Sequence, residues 1–312
     1  MAVGLSKPQI LLHINQTVAS SGLSEGINFA KATLASGENF SLVRNRLIEL
    51  LLECGRVDEA YLESAKLLTC FDYTENAAIC TLAKAKCEIA MLHLQDAKAT
   101  LIRAVALDPD NDQCYLYLAW VYKELGDTAK CKDTLARGCS RVPDSLELNV
   151  TLAQLLTMLR ELSRAQIFAY RAVLLAPEEI DGHELLAIIS FMSGDREVAK
   201  KSVTAALALT NSPSTFYANA TDASEALDKD RYALLQCIHA LCLHADNKHD
   251  AANSIILELE EIIPESFIVY SVKAEILKSL GKDKEASIAL EKAFNLERNS
   301  PEFMPAWVPR GL

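Results

Sequence analysis

Glycine and proline are scarce in this 312-residue chain, at 11 and 9 residues, and aromatic side chains make up only 6%. A β-sandwich or barrel needs a turn after every short strand, so this poverty in turn formers argues against that class. Alanine and leucine dominate instead, and both favour helix. Long apolar runs are also missing. None approaches the ~20 residues of a membrane-spanning helix, so no membrane span is expected. The short N-terminal patch from Ile10 to Ile14 is broken by His13 and lacks the pattern of a secretory signal. Positive charge is short as well, with 31 Lys and Arg against 42 Asp and Glu, a net charge of −11. Phosphate contacts need clustered Lys and Arg, so nucleic acid is not an expected partner. What the chain has is a hydrophobic half, enough to build a packed core.

The motifs of common reaction centres are absent. There is no glycine-rich phosphate loop, no G-x-S-x-G elbow, no H-E-x-x-H pair and no C-x-x-C. The sequence therefore predicts no enzyme and no cofactor. Nine cysteines, an odd number scattered through helical patterns, do not form a secreted disulfide framework and point to a reduced cytoplasmic location. One cluster invites a metal reading: Cys237, His239, Cys242, His244 and His249. His239 and Cys242 share a helix face, but helical phase scatters the others around the axis, short of a tetrahedral set. The expectation is no metal, with Cys237 and Cys242 packing as small hydrophobes. The sequons at Asn15, Asn149 and Asn219 are read as accidental.

A repeat runs through the chain. Pro109, Pro143 and Pro177 are spaced by 34 residues, as are Ala97, Cys131, Ala165 and Ala199, and Gly126 and Gly194 lie two such periods apart. Downstream, Pro177 to Pro264, Gly194 to Gly281 and Ala199 to Ala252 each overshoot whole periods by the same 19 residues. One insertion explains all three. Upstream, a small insertion of 3 residues near 72–77 explains the spacings from Ala60 to Ala97 and from Gly55 to Gly126. The clearest copy, 112–145, places Tyr115, Leu118, Ala119 and Tyr122 on a first helix, Gly126-Asp127 in a turn, Cys131, Leu135 and Gly138 on a second helix, and Pro143 at its end. Two helices that cross closely need small residues facing each other, which the Ala85, Ala119, Ala153, Ala187, Ala240 and Ala274 column supplies against the Ala97 column.

This 34-residue pattern resembles the tetratricopeptide repeat, with Ala119 for the family's usual Gly and Cys131 for its usual Ala. The resemblance implies an all-α chain, a right-handed α-solenoid of about seven to eight helix–turn–helix repeats. The expected organisation is a degenerate unit and cap at 1–40, five units over 41–213, an insertion with a lengthened helix at 214–232, two units over 233–300, and a Pro-rich tail at 301–312.

In proteins of this family the first helices line a concave groove. Carried onto this sequence, the groove positions are Leu116, Trp120 and Lys123, with Gln113 and Glu124 beside them. The next unit gives Val150, Gln154 and Met158, and the one after it Glu184, Ile188, Phe191 and Met192. The resemblance thus implies an apolar floor with acidic edges, and a partner that is an amphipathic helix or extended apolar peptide with basic flanks. The alternative for Trp120 and Phe191 is that they pack between neighbouring first helices. The basic clamp by which some family members hold chaperone tails is not assembled, since its positions read Asn45/Glu49, Leu82/Lys86, Leu116/Trp120 and Val150/Gln154. The expected function is a protein-interaction scaffold or adaptor. The alternatives are a chaperone-like holder of a client in assembly or secretion, and a non-catalytic regulatory subunit of an enzyme. The tail, with Phe303, Met304 and Trp307 among prolines, is expected to cap the last repeat or to join copies into a homo-oligomer.

Overall fold

The computed structural model describes residues 6–36, 40–70, 73–74, 76–210 and 223–299. Among these the chain forms sixteen α-helices and one short 3-10 turn, with no strand. They run in antiparallel pairs: α1 (Lys7–Ser21) with α2 (Leu23–Ala35), α3 (Ser41–Glu53) with α4 (Val57–Ala65), α5 (Ala77–Ala90) with α6 (Leu94–Leu107), and α7 (Asp112–Glu124) with α8 (Thr128–Arg141). Then follow α9 (Leu146–Met158) and α10 (Leu162–Leu175), α11 (Ile180–Met192) and α12 (Arg196–Leu209), α13 (Ala223–Ala245) and α14 (His249–Ile262), and α15 (Phe267–Ser279) and α16 (Asp283–Asn299). This is an α-solenoid of helical hairpins. The chain divides into two compact units, Met1–Leu148 and Asn149–Leu312, with the division inside α9.

The period is written into the turns. Leu92, Gly126, Arg160 and Gly194, each 34 residues from the next, all take the left-handed conformation, with φ of 60°, 78°, 61° and 82°. In each case the next residue's N–H reaches back five residues to close the helix end: Asp127 donates to Tyr122 O at 2.9 Å, Glu161 to Leu156 O at 2.9 Å and Asp195 to Ser190 O at 2.8 Å. This is the helix-ending geometry that glycine adopts without steric cost. Asp127 and Asp195 then cap the second helices by accepting from the N–H groups of Lys130 and Val198. A second periodic bond ties two of the hairpins to the chain before them. Tyr115 donates its hydroxyl to Pro109 O at 2.9 Å, and two periods later His183 Nε2 lies 3.0 Å from Pro177 O.

Small residues let the helices close. The first-helix column, from Ala85 to Ala274, and the second-helix column, Ala97, Cys131, Ala165 and Ala199, are buried throughout. In the first unit, Ile10 and Ile14 of α1 and Ile27 of α2 join Leu47, Ile48 and Leu51 of α3 in one core, reached by Cys80 and Cys87 of α5. In the second unit, Ala199, Val203 and Ala206 of α12 pack on Leu234, Leu235 and Ile238 of α13. Beyond them, Ile256 and Leu259 of α14 pack with Phe267, Val269 and Val272 of α15.

First helices such as α7, α9, α11 and α15 are 13 residues long, but α13 has 23, with the extra turns at its N-terminal end. The front of the 19-residue insertion, 214–222, and the tail at 301–312 lie outside the described residues.

Candidate functional site

Residues spaced by three or four lie on one face of a helix. On α7 of the first unit this aligns Leu116, Trp120 and Lys123. Leu116 is half-buried and Lys123 exposed, while the Trp120 indole is 39% exposed, an unusual position for so large an apolar group. Beside this face Lys86 donates to Gln113 Oε1 at 3.3 Å and sits 5.1 Å above the Tyr117 ring, so cations border the apolar strip.

The other groove positions fall in the second unit. On α9, Val150 is half-buried and Gln154 and Met158 are exposed, Met158 at 59%. On α11 the picture differs. Ile188 and Phe191 are half-buried because α13 packs across them: both join the cluster of Leu234, Leu235 and Ile238, and Phe191 also touches the cluster built by Tyr232, Ile256 and Phe267. Met192 is half-buried. Glu184 is occupied as well. Arg231, in the lengthened part of α13, donates to Glu184 Oε2 at 2.7 Å and pairs with Asp181. Burial pushes the Glu184 carboxyl above its usual range, against the pull of Arg231. The structure therefore gathers Glu184, Ile188 and Phe191 with α13, and leaves Trp120 and Met158 as the large apolar groups with open surface. Arg231 was not a sequence candidate, because Lys229-Asp230-Arg231 reads locally as a solvated helix face and its partners lie about fifty residues upstream.

The Cys/His cluster does not converge. Cys237 and Cys242 are fully buried, in different apolar clusters. Among the described residues no three metal-ligating side chains come together. His244 and His249 instead meet each other across the α13–α14 turn, Nδ1 to Nδ1 at 2.9 Å, while His244 Nε2 lies 2.5 Å from Ser279 Oγ. One of the two facing nitrogens must donate and the other accept, so the contact requires a neutral ring.

This has a pH consequence. Burial lowers the pKa of His244, helped by His249, and burial lowers that of His239, helped by Lys200. Neighbouring Asp246 is held below its usual range by Lys200 and stays ionised. Both histidines therefore give up protons on folding, and the stability this reflects is present above the ordinary histidine range and lost as pH falls through it. Urea midpoints should fall between about pH 7.5 and about pH 5.5, with a linkage of up to about two protons. The His239→Gln/His244→Gln variant should flatten that slope; an unchanged slope would place the titration elsewhere.

Against known proteins, models of the tetratricopeptide repeat match two stretches, residues 100–133 and 268–300. No curated protein matches. Among solved structures, the C-terminal part of a TPR repeat-containing protein from Cytophaga hutchinsonii aligns at a TM-score of 0.62 and 13% identity, over 84% of this chain and 98% of that one. The APC/C hetero-tetramer Cut9-Hcn1 aligns at 0.54 and 15% identity over 96% of this chain, which spans 54% of that chain's length. PilW, a type IV pilus biogenesis factor, aligns at 0.51 and 17% identity, over 73% of this chain and 95% of that one. At these identities the likeness is one of fold. Among the described residues no helix is long and apolar enough to cross a membrane.

Proposed function

From the premise that this chain is a tetratricopeptide-repeat protein, we propose that it is a non-catalytic scaffold or adaptor that captures a segment of a partner protein on its first-helix faces. The observation that carries this reading is that each unit leaves a large apolar group open on a first helix, Trp120 on α7 in the first unit and Met158 on α9 in the second. A solvated indole or thioether costs hydration free energy that a docking partner recovers, and aromatic anchors of this kind dominate interface energetics. The segment would be an amphipathic helix or extended apolar peptide, with basic flanks to meet Glu124 and Glu147 of the first unit. A cytoplasmic setting accords with nine free thiols, eight of them buried. Burial pushes the thiols of Cys87, Cys114 and Cys242 up to about 11, which keeps them protonated and unreactive. The holder and regulatory-subunit roles would use the same faces, and the tail at 301–312 is the segment through which copies would associate.

The test is Trp120→Ala with Met158→Ala. Phe191→Ala is a poorer choice, because Phe191 packs against α13 and its loss would cost stability as well as binding. Cross-linked affinity capture from cytosol should lose its specific partner with the double variant, while circular dichroism and melting stay unchanged. The expected loss is about tenfold or more in affinity. Undiminished capture would remove these faces from the reading.

A further inference from the structure

A different surface lies on the second-helix side of the first unit. Both α6 and α8 pack on α7, and between them runs an open groove of about 950 Å³. Its apolar lining comes from Ile102, Val105, Ala106 and Pro109 on one side, Ala136 on the other, and the Tyr115 ring beneath. Ile102 projects into it and is about half exposed. Exposed apolar groups occur on other second helices too, among them Ile167 on α10, Leu257 on α14 and Ile288 on α16, and Ile102 is set apart by lining this groove.

The rim carries charge of the unexpected sign. In a chain of net charge −11, the groove lining has Arg137 and Arg141 against the single acid Asp133, while Lys130 at the start of α8 is held by Asp127. Arg137 and Arg141 stand on the groove wall, with Asp133 one turn before Arg137. Arg141 reaches Asp110 at 3.0 Å, but both side chains are more than half exposed, so that bridge yields easily to a competing carboxylate. Arg137 makes no ion pair among the described residues, and Arg103 of α6 is exposed nearby in sequence to Ile102.

We propose that the groove between α6 and α8 is a second docking surface, which receives an amphipathic helix of a partner protein whose apolar face is bordered by carboxylates. The apolar lining supplies burial, and the guanidinium groups of Arg137 and Arg141 select acidic flanks by forked hydrogen bonds. The volume falls within the range of ordinary binding clefts. The surface is independent of the first-helix faces and prefers the opposite flank charge, so each can fail without the other.

The probe is a displayed library of short random peptides, selected on the full-length protein and counter-selected on two variants, Ile102→Asp and Arg137→Glu/Arg141→Glu. All three residues have exposed side chains, so both variants should fold, which circular dichroism checks. Clones that depend on the groove should carry apolar residues at helical spacing with flanking Asp or Glu. A synthetic peptide from them should bind about tenfold or more weakly to either variant. It should bind the Trp120→Ala/Met158→Ala protein with unchanged affinity. Groove-dependent clones that are basic or uncharged would overturn the proposal, as would none at all. So would self-association of the wild-type chain, or binding of RNA, that either groove variant abolishes, because the groove would then be made for another occupant.

Discussion

Gly182→Ala should destabilise the second unit by about 1–3 kcal/mol, although helix propensity alone predicts the reverse. Gly182 is the third residue of α11, and alanine inside a helix is favoured over glycine by up to about 1 kcal/mol. The neighbouring helix decides the sign. A Cβ built on Gly182 would lie 2.9 Å from Val173 N and 3.1 Å from the Ala172 carbonyl carbon, both in the backbone of α10. Side chains can swing aside, but backbone moves only if the whole helix moves. The methyl group therefore wedges α10 from α11 and loosens contacts along both. Gly182→Val adds two more carbons and a stiff χ1 and should fall at or beyond the upper end of that range. Gly138→Ala is the milder comparison: its Cβ would meet Leu148 Cδ2, Tyr115 Cβ and Tyr115 Cγ at 3.0 Å, of which the Leu148 methyl can swing aside, and no backbone atom is among these neighbours. In urea denaturation Gly182→Val should be the least stable of the three variants, Gly182→Ala intermediate and Gly138→Ala the most stable. Stabilisation by Gly182→Ala would mean that α10 and α11 sit further apart than described.

The contrast between Gly182 and Gly126 shows what can be read from a sequence. Gly126 belongs to a periodic set, and its role in a left-handed turn follows from the 34-residue spacing. The same reasoning gave the hairpin fold, because a column of small residues at one interval has few physical explanations other than close helix crossing. Gly182 has no periodic partner, and its tight contact with α10 exists only after the hairpins stack. Leu92 and Arg160 were hidden for the opposite reason. They sit at the turn position with φ of 60° and 61°, but neither is a glycine or asparagine, so their composition carries no turn signal. The groove assignment was legible only in part. An apolar side chain on the first-helix face looks the same in sequence whether it stays open to solvent, as Trp120 does, or is covered by α13, as Phe191 is. The groove between α6 and α8 left no such trace, because exposed apolar residues like Ile102 recur on other second helices, Ile167 and Leu257 among them.

Ile14→Ala should lower the stability of the first unit by about 2–5 kcal/mol, the cost of a cavity where a large aliphatic group was fully enclosed. By sequence, α1 and α2 fall in the degenerate unit at 1–40, and a loosely attached pair would tolerate the change. In the structure Ile14 is completely buried, with Leu47, Ile48 and Leu51 of α3 in the same core. It therefore covers the apolar side of α3, which the hairpin of α3 and α4 would otherwise expose. The same helix provides the comparison. Leu12 is 58% exposed, so Leu12→Ala should change stability by no more than about 0.5 kcal/mol. Ile14→Val, which removes one methyl, should cost about 0.5–1.5 kcal/mol. A graded series, with Leu12→Ala near zero and Ile14→Val between it and Ile14→Ala, would establish α1 as part of the cooperative core. If Ile14→Ala matched Leu12→Ala, α1 would be an appendage, and the burden of closing the first unit would pass to α2, through Ile27 and Ala30.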